Sequence, residues 1–421
     1  MDRLLTRRIL LGAPLGLAVP FDARVAKAAR DWDVQITQLT HGPKHHFFGY
    51  IGHVKNTPWS GNGRYMVLLR VGFQDHMPAP DEAADVLLLD TENDNQGSVV
   101  DRCRAWNPQQ GTMFYWNPKA PDTQLIFNDR DLKTNRVFTV LYDIANRKRI
   151  HEYRYDDTPF ANSGVAQNGG FFLGINYGRL ARLRPVTGYP GAYDWTGNAP
   201  APENDGIFLA EIESGKKRLL VSFQQLAELI AGRRPDVKSK ELFINHTLWN
   251  RDDNRIYFYV RADFERPGSI DIPCTIHPDG SNLTMHDQFI GGHPEWQFGS
   301  RIIGEVRGKQ VIYDVDTQQI AGQIGNPEIL PKPGGDCALS PDGKWFVNGY
   351  RQGREDIYVI VRLGDTSYVR TSGLPVDQWT SGELRCDPAP CWNRASDRIA
   401  VPAIADDRDR TRQTFLLQIK T

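Results

Sequence analysis

Polar turn residues followed by a run of bulky apolar ones recur along this chain. The clearest case is Trp59-Ser60-Gly61-Asn62-Gly63-Arg64-Tyr65-Met66-Val67-Leu68-Leu69: an aromatic residue, a turn of Gly and Asn, then a strand-forming stretch. Weaker copies stand at 116–127, 165–175, 249–259, 296–306, 340–348 and 392–401. A second apolar strand follows each copy, at 85–90, 138–144, 207–212, 274–277, 310–315, 357–363 and 415–419. Strand-turn-strand content repeating at about 50 residues predicts a β-propeller. One such unit cannot bury both faces of its sheet. The copies therefore predict an all-β fold, a closed ring that is a seven-bladed β-propeller.

Two departures from the pattern matter. Residues 29–45 are a polar lead-in to the first copy. The connection at 180–204, rich in Pro, Gly, Tyr and Arg, is far longer than the others, and long loops on a rigid ring are usually binding loops. After it, 222–231 carries a short helical pattern with Leu226, Leu229 and Ile230 on one side, suited to packing on the rim.

At 421 residues the chain has room for two or three ordinary domains. The repeat and the lack of any linker argue instead for one propeller domain over 29–421. With 10 Trp, 15 Tyr and 19 Phe and 24% charged residues, the composition suits a soluble β-rich protein with a large core. A net charge of −1 supplies no basic field, so nucleic acid is not an expected partner. Arg7 and Arg8 precede an apolar run that ends by Pro20, too short to span a bilayer, and Ala26-Lys27-Ala28 offers a small-x-small cleavage site. Residues 1–28 thus read as a twin-arginine-type signal peptide, which predicts a periplasmic or secreted protein with no stable membrane insertion. Removing them takes five basic and two acidic residues and leaves a net charge of −4.

Candidate chemistry falls in five groups. His45 and His46 are adjacent, flanked by aromatics, with His53 close behind; histidine can act as a base near neutral pH. Gln109 and Gln110, with Asn128 further on, are uncharged donors and acceptors that suit sugar hydroxyls and carboxylates. Tyr177, Arg179, Arg182, Arg184 and Tyr189 combine guanidinium groups, which grip a carboxylate through paired hydrogen bonds, with rings that suit a sugar face. Asn245 and His246 precede the fourth copy. Last, His293, Asp336, Cys337, Cys386, Asp387 and Cys391 stand before successive late copies. Of these, His293, Asp336, Cys337 and Cys391 are a candidate site for zinc or another divalent metal, although no CxxC pair is present. A Cys386–Cys391 disulfide or a plain buried polar cluster explains the same residues. The cysteine count of 5 leaves at least one unpaired in an exported protein.

The ordered stretches HHFFGY (45–50), RAWNPQQG (104–111), FNDRD (127–131), NYGRLARLRP (176–185), INHT (244–247), SPDGKW (340–345) and RCDPAPCWNR (385–394) resemble the seven-bladed propeller polysaccharide lyases. Those are the ulvan lyases, their large uncharacterised kin and, more distantly, the oligogalacturonate lyases; a related propeller family cleaves rhamnosyl–glucuronate ends. The resemblance runs from about residue 40 to the end and implies an acidic oligosaccharide or polysaccharide as partner. It implies β-elimination at a uronate, with Arg179 neutralising the carboxylate. His45 or His46 would be the base, Gln109 or Gln110 its amide partner, and Tyr177 or Tyr189 the proton donor to the leaving oxygen. His53, Asn128, Arg182, Arg184, Asn245 and His246 would bind substrate. The chain departs from the pattern at Ser163, where a catalytic Tyr is expected. It also departs at Asn128, where a second His is expected, and at Asp336 and Ala389 in the metal cluster. A rhamnosyl–glucuronate hydrolase and a non-catalytic sugar-binding or protein-interaction propeller are the alternatives.

Overall fold

A computed structural model describes residues 31–49, 56–406 and 408–421. Residues 1–28, read above as a signal peptide, and His53 lie outside the described residues. Residues Trp32–Thr421 form one compact unit.

Each predicted repeat folds as part of an antiparallel meander. The first sheet is His45–Phe47, Tyr65–Val71, Ala84–Asp90 and Gln96–Cys103. Its two middle strands are apolar and almost wholly buried, whereas the outermost is mostly exposed. That gradient is what a blade needs: middle strands are covered on both faces by neighbouring sheets, and the outer strand meets water. The second sheet is Tyr115–Trp116, Gln124–Arg130, Val137–Asp143 and Lys148–Tyr153. The third is Ala161–Val165, Phe171–Ile175, Gly206–Glu211 and Lys217–Ser222. The fourth is Phe243–Trp249, Ile256–Ala262, Ile270–Ile276 and Thr284–Met285. The last is Cys391–Trp392, Arg398–Ile404, Arg412–Lys420 and, at its outer edge, Asp33–Gln38.

The expected count of seven separate blades is corrected here. The described residues form five four-stranded blades and one sheet of nine strands. That larger sheet holds two meanders, one running Gly291–Trp296 to Gln319–Gln323 and the other Asp336–Leu339 to Tyr368–Arg370. Their innermost strands approach closely enough for a single parallel pairing, His293 with Asp336, and that one bridge fuses them.

The repeated tryptophan has a structural reason. Four of these indoles end an innermost strand, and each Nε1–H donates to a backbone carbonyl of the preceding repeat: Trp116 to Pro58 at 2.8 Å, Trp249 to Gly164 at 3.2 Å, Trp296 to Leu248 at 2.9 Å and Trp392 to Ala338 at 3.1 Å. Apolar cores fill the spaces between neighbouring sheets around the whole unit. The polar lead-in is itself used. Asp33–Gln38 pairs with Arg412–Lys420 in register from Asp33–Lys420 to Gln38–Phe415. The start of the unit thereby supplies the outermost strand of the last sheet and joins the two ends of the chain.

Two helices lie outside the sheets. Tyr177–Leu183 (α1) is capped by Asn176, and Phe223–Ala231 (α2) by a capping box of Ser222 and Gln225. The α2 prediction holds, with Phe223, Leu226, Ala227 and Ile230 buried, while Leu229 is only partly covered. Among the described residues, no helix is long and apolar enough to cross a membrane.

Candidate functional site

Four of the innermost strands end at a tryptophan (Trp116, Trp249, Trp296 and Trp392), and the opposite ends, where such strands begin, make up a rim. His246 lies in Phe243–Trp249, His293 in Gly291–Trp296 and Asp336 opens Asp336–Leu339. Two of these strands are bulged there. The register against the second strand slips between Asn245 and Leu248, and again between Gly291 and Glu295. A bulge re-aims side chains that regular pleating would point elsewhere. His246 takes a positive φ of 58°, and Gly292, just before His293, a φ of 72°. Such backbone is uncommon for a residue with a side chain and concentrates at functional sites. Gly335, just before Asp336, has no room for a side chain: a Cβ there would sit 2.0 Å from the Gly349 carbonyl oxygen.

The bulges bring the His246 and His293 rings to 5.3 Å between centroids. His293 Nδ1 pairs with Asp336, whose other oxygen accepts the Ala389 N–H at 2.9 Å. Burial alone would lower the His293 pKa, but the charge and hydrogen bond of Asp336 outweigh it and raise it above 6.5. Burial likewise pushes Asp336 up, and His293 more than reverses that. The contact thus favours the imidazolium form of His293 and the carboxylate form of Asp336. The His293 side chain keeps 28% of its exposure, against 5% for Asp336, so the histidine is the member that faces outward.

Of the nearby guanidinium groups, Arg385 acts on both members of the pair. Arg385 donates to Asp387 at 2.8 Å and to Gln109 Oε1 at 2.9 Å. Burial raises the Asp387 pKa, repulsion from Asp336 adds to it, and Arg385 and His293 oppose it. Arg351 holds this segment in place: it binds Asp356 at 2.6 and 3.1 Å and donates to the carbonyls of Thr380 and Cys386. Arg261 donates to Asn245 Oδ1 at 2.7 Å and pairs with Asp271 at 2.7 Å. Arg184 stacks on Phe264, with its guanidinium carbon 3.9 Å from the ring centroid. Its nearest carboxylate is Glu265 at 3.8 Å, a side chain that is 76% exposed. Burial, with Arg261 and Arg385 close by, lowers the Arg184 pKa to about 10. Its Nε is buried with no hydrogen-bond partner among the described residues. Arg184 is thus the least compensated cation of the group.

Of the residues singled out in the sequence, Gln109, Arg184, Asn245, His246, His293 and Asp336 come together. Arg179 does not join them. It is 1% exposed, its Nε and Nη2 donate to the carbonyls of Leu242, Ala199 and Pro200, and Nη1 donates to Thr196. It braces the long connection, and a carboxylate cannot reach it. Tyr177 and Tyr189 are buried and stacked at 4.1 Å; the Tyr177 hydroxyl donates to Asn162 O, and the Tyr189 hydroxyl accepts from Asn128. Asn128 also donates to Asn162 O and accepts from Thr139. These three form a polar wedge between the second and third sheets. Arg182 is paired with Asp194 and Glu241 on the surface of the connection.

His45 and His46 stand at the junction of the first and last sheets. The Arg412 N–H donates to His45 Nδ1 at 3.0 Å, which puts the proton of the neutral ring on Nε2. Burial and then Arg412 and His46 lower the His45 pKa to about 4. Gln413 uses its amide nitrogen on Lys44 O and Thr411, so its oxygen accepts from His46 Nδ1 at 2.8 Å. Arg412 also donates to Pro108 O at 2.6 Å, which ties this junction to Gln109. Gln110 is buried, and its N–H caps Asn107 Oδ1.

The expected metal ligands do not assemble. Cys337 Sγ donates to His293 O at 3.1 Å and Cys391 Sγ to Ala389 O at 3.7 Å. Burial raises both thiol pKa values, so neither is poised as a thiolate. His293 Nδ1 is already taken by Asp336. Among the described residues no group of three or more such side chains is arranged to hold a metal ion. All five cysteines are free, so no Cys386–Cys391 bridge is present.

Arg385, Arg261 and Asp387 complete the cluster. The first and third lie in the motif 385–394, immediately before the innermost strand of the last repeat. Their position at the start of such a strand is the signal they share with His246, His293 and Asp336.

No family model matches the chain, and no curated protein sequence matches it. Among solved structures, oligogalacturonate lyase from Vibrio parahaemolyticus superposes with a TM-score of 0.60 at 13% identity, over 92% of this chain and 96% of that one. TolB from Acinetobacter baumannii aligns with a TM-score of 0.39 at 13% identity, over 73% of this chain and 63% of that one, and carries no argument. The first likeness shows that the chain has the β-propeller fold of that lyase.

Proposed function

We propose that this propeller binds a uronate-containing oligosaccharide at the rim where its innermost strands begin and cleaves it by β-elimination. The observation that carries the reading is the His246 ring beside the His293–Asp336 pair, with Arg184 close to Arg261, which holds Asn245, and to Arg385, which acts on His293. The chemistry asks for three things. Negative charge builds on the uronate carboxylate as its neighbouring proton leaves, and a fixed guanidinium lowers that cost. Arg184 takes that part. A base must accept the proton, and His246 takes it. The electron pair left behind forms the carbon–carbon double bond, and the glycosidic carbon–oxygen bond breaks. The departing oxygen takes a proton from the His293 imidazolium, a form that the Asp336 contact favours. Catalysis thus falls to the late repeats, not to Arg179, Tyr177 or the His45–His46 pair.

The fold likeness to an oligogalacturonate lyase supports an acidic sugar as substrate. Paired arginines before a short apolar run support export through the twin-arginine route.

A second reading has its own observation. Asp336 pairs with His293 and Asp387 with Arg385, and the pKa of the first is lowered while that of the second is raised. Two carboxyl groups with divided roles are the equipment of a glycoside hydrolase. Incubation with oligogalacturonate and with rhamnosyl–glucuronate oligosaccharides separates the readings. Elimination yields an unsaturated uronate that absorbs in the ultraviolet; hydrolysis yields free sugar with no new absorbance. Binding without either product would leave a non-catalytic sugar-binding propeller.

A further inference from the structure

The register of the first sheet sets a row of charge running outward from the rim. His46 pairs with Arg70, Arg70 with Asp85, and Asp85 with Arg102. Directly paired residues point to the same face of a sheet, so one face carries these side chains from the innermost strand to the outermost. Of these, Arg70, Asp85 and Arg102 line an open cleft of about 360 Å³, together with Lys44, Arg104 and Asp81.

The charges in this cleft do not balance. Asp85 alone receives three cations: Arg70 at 2.9 Å, Arg102 at 3.0 Å and Lys44 at 3.7 Å. Arg104 adds a fourth cation, and its Nε is buried without a hydrogen-bond partner among the described residues. Asp81 forms no ion pair with any of the four among the described residues. Arg102 spends only its Nε on Asp85, and its side chain is 68% exposed; that of Lys44 is 49% exposed. The free faces of Arg102 and Lys44 are turned to solvent, which is the arrangement that accepts an oxyanion through charge-assisted hydrogen bonds.

The cleft is also connected to the rim. Lys44 directly precedes His45, His45 is held by the Arg412 N–H, and Arg412 holds the carbonyl of Pro108, next to Gln109. We propose that this cleft on the first sheet is a second anion-binding subsite, which takes a carboxylate or sulfate group of the same acidic oligosaccharide further along its length. This rests on the uronate reading of the rim.

The test is calorimetric binding of digalacturonate, a long oligogalacturonate and inorganic sulfate to the full chain and to a Lys44→Ala/Arg102→Ala variant. Both positions are exposed, and Arg70 remains to pair Asp85, so the variant should fold. The expected result is about a tenfold loss of affinity for the long oligogalacturonate, the worth of one strong polar contact, with digalacturonate unaffected and sulfate binding reduced. Equal affinity of parent and variant for the long oligogalacturonate, in a protein that does bind both sugars, overturns the subsite and leaves the uronate reading intact. If neither sugar binds the parent, the uronate reading fails, and sulfate decides the cleft by itself. Sulfate binding that the variant loses upholds an anion site, and sulfate binding that it keeps overturns it.

Discussion

Replacing Asp336 by Asn should destabilise the protein at mildly acidic pH and hardly at all at alkaline pH. The Asn side chain keeps the shape and can still accept the Ala389 N–H that Asp336 accepts at 2.9 Å. What it removes is the counter-charge of His293. His293 has its pKa raised from 6.5 in the folded state, so its contribution is complete below 6.5 and is lost as pH rises through the folded value. Asp336 has its pKa lowered from 3.8, so its contribution is present above 3.8 and is lost as pH falls through the folded value. Both contributions are whole between those limits. Breaking a buried ion pair by removing one partner costs about 3–5 kcal/mol. Here His293 keeps 28% of its side-chain exposure, which lowers the cost. Asp387, relieved of its neighbour, can ionise and compensate, while Arg385 and His246 also face the imidazolium. The expected loss is then about 2–3 kcal/mol near pH 5.5 and under about 1 kcal/mol near pH 9. Denaturant unfolding of parent and variant at the two pH values measures it. Equal losses at both, or a larger loss at the alkaline one, would refute the assignment of a charged pair.

Arg179→Met should cost about 3 kcal/mol in denaturant unfolding, because several buried carbonyls lose their donor; activity per folded molecule should stay at the parent level. A selective loss of turnover without loss of stability would return Arg179 to the site. Trp296→Phe leaves the Leu248 carbonyl unpaired inside a packed interface and should cost about 2–4 kcal/mol by the same assay. An unchanged midpoint would mean that the indole hydrogen bond between repeats contributes nothing.

The strands were legible because the middle ones are unbroken apolar runs and the tryptophans punctuate them at a regular spacing. The closing strand Asp33–Gln38 was not, since it alternates between exposed and half-covered residues and its partner lies at the far end of the chain. The fused sheet depends on one backbone pairing, of His293 with Asp336, which leaves no mark on hydrophobic periodicity. At the site, the histidines and Asn245 were legible as polar residues at the start of a repeat, but the bulges that turn His246 toward His293 were not. Arg179 shows the opposite case. An arginine in a long loop reads as a binding residue, yet this loop folds back so that the carbonyls of Ala199 and Pro200 surround it. Arg385 stood in view within a motif, but only its contacts with Asp387 and Gln109 separate it from the many surface arginines.

The central claim is that the rim joining Arg184, His246 and His293 performs β-elimination on a uronate. Ultraviolet absorbance of the purified protein incubated with oligogalacturonate, beside an Arg184→Ala variant shown to be folded, tests it directly. Growth of the unsaturated-uronate band with the parent, and its loss by at least about a hundredfold with the variant, is the predicted result. No band with the parent on this and other uronate substrates, or undiminished growth with the variant, would contradict it.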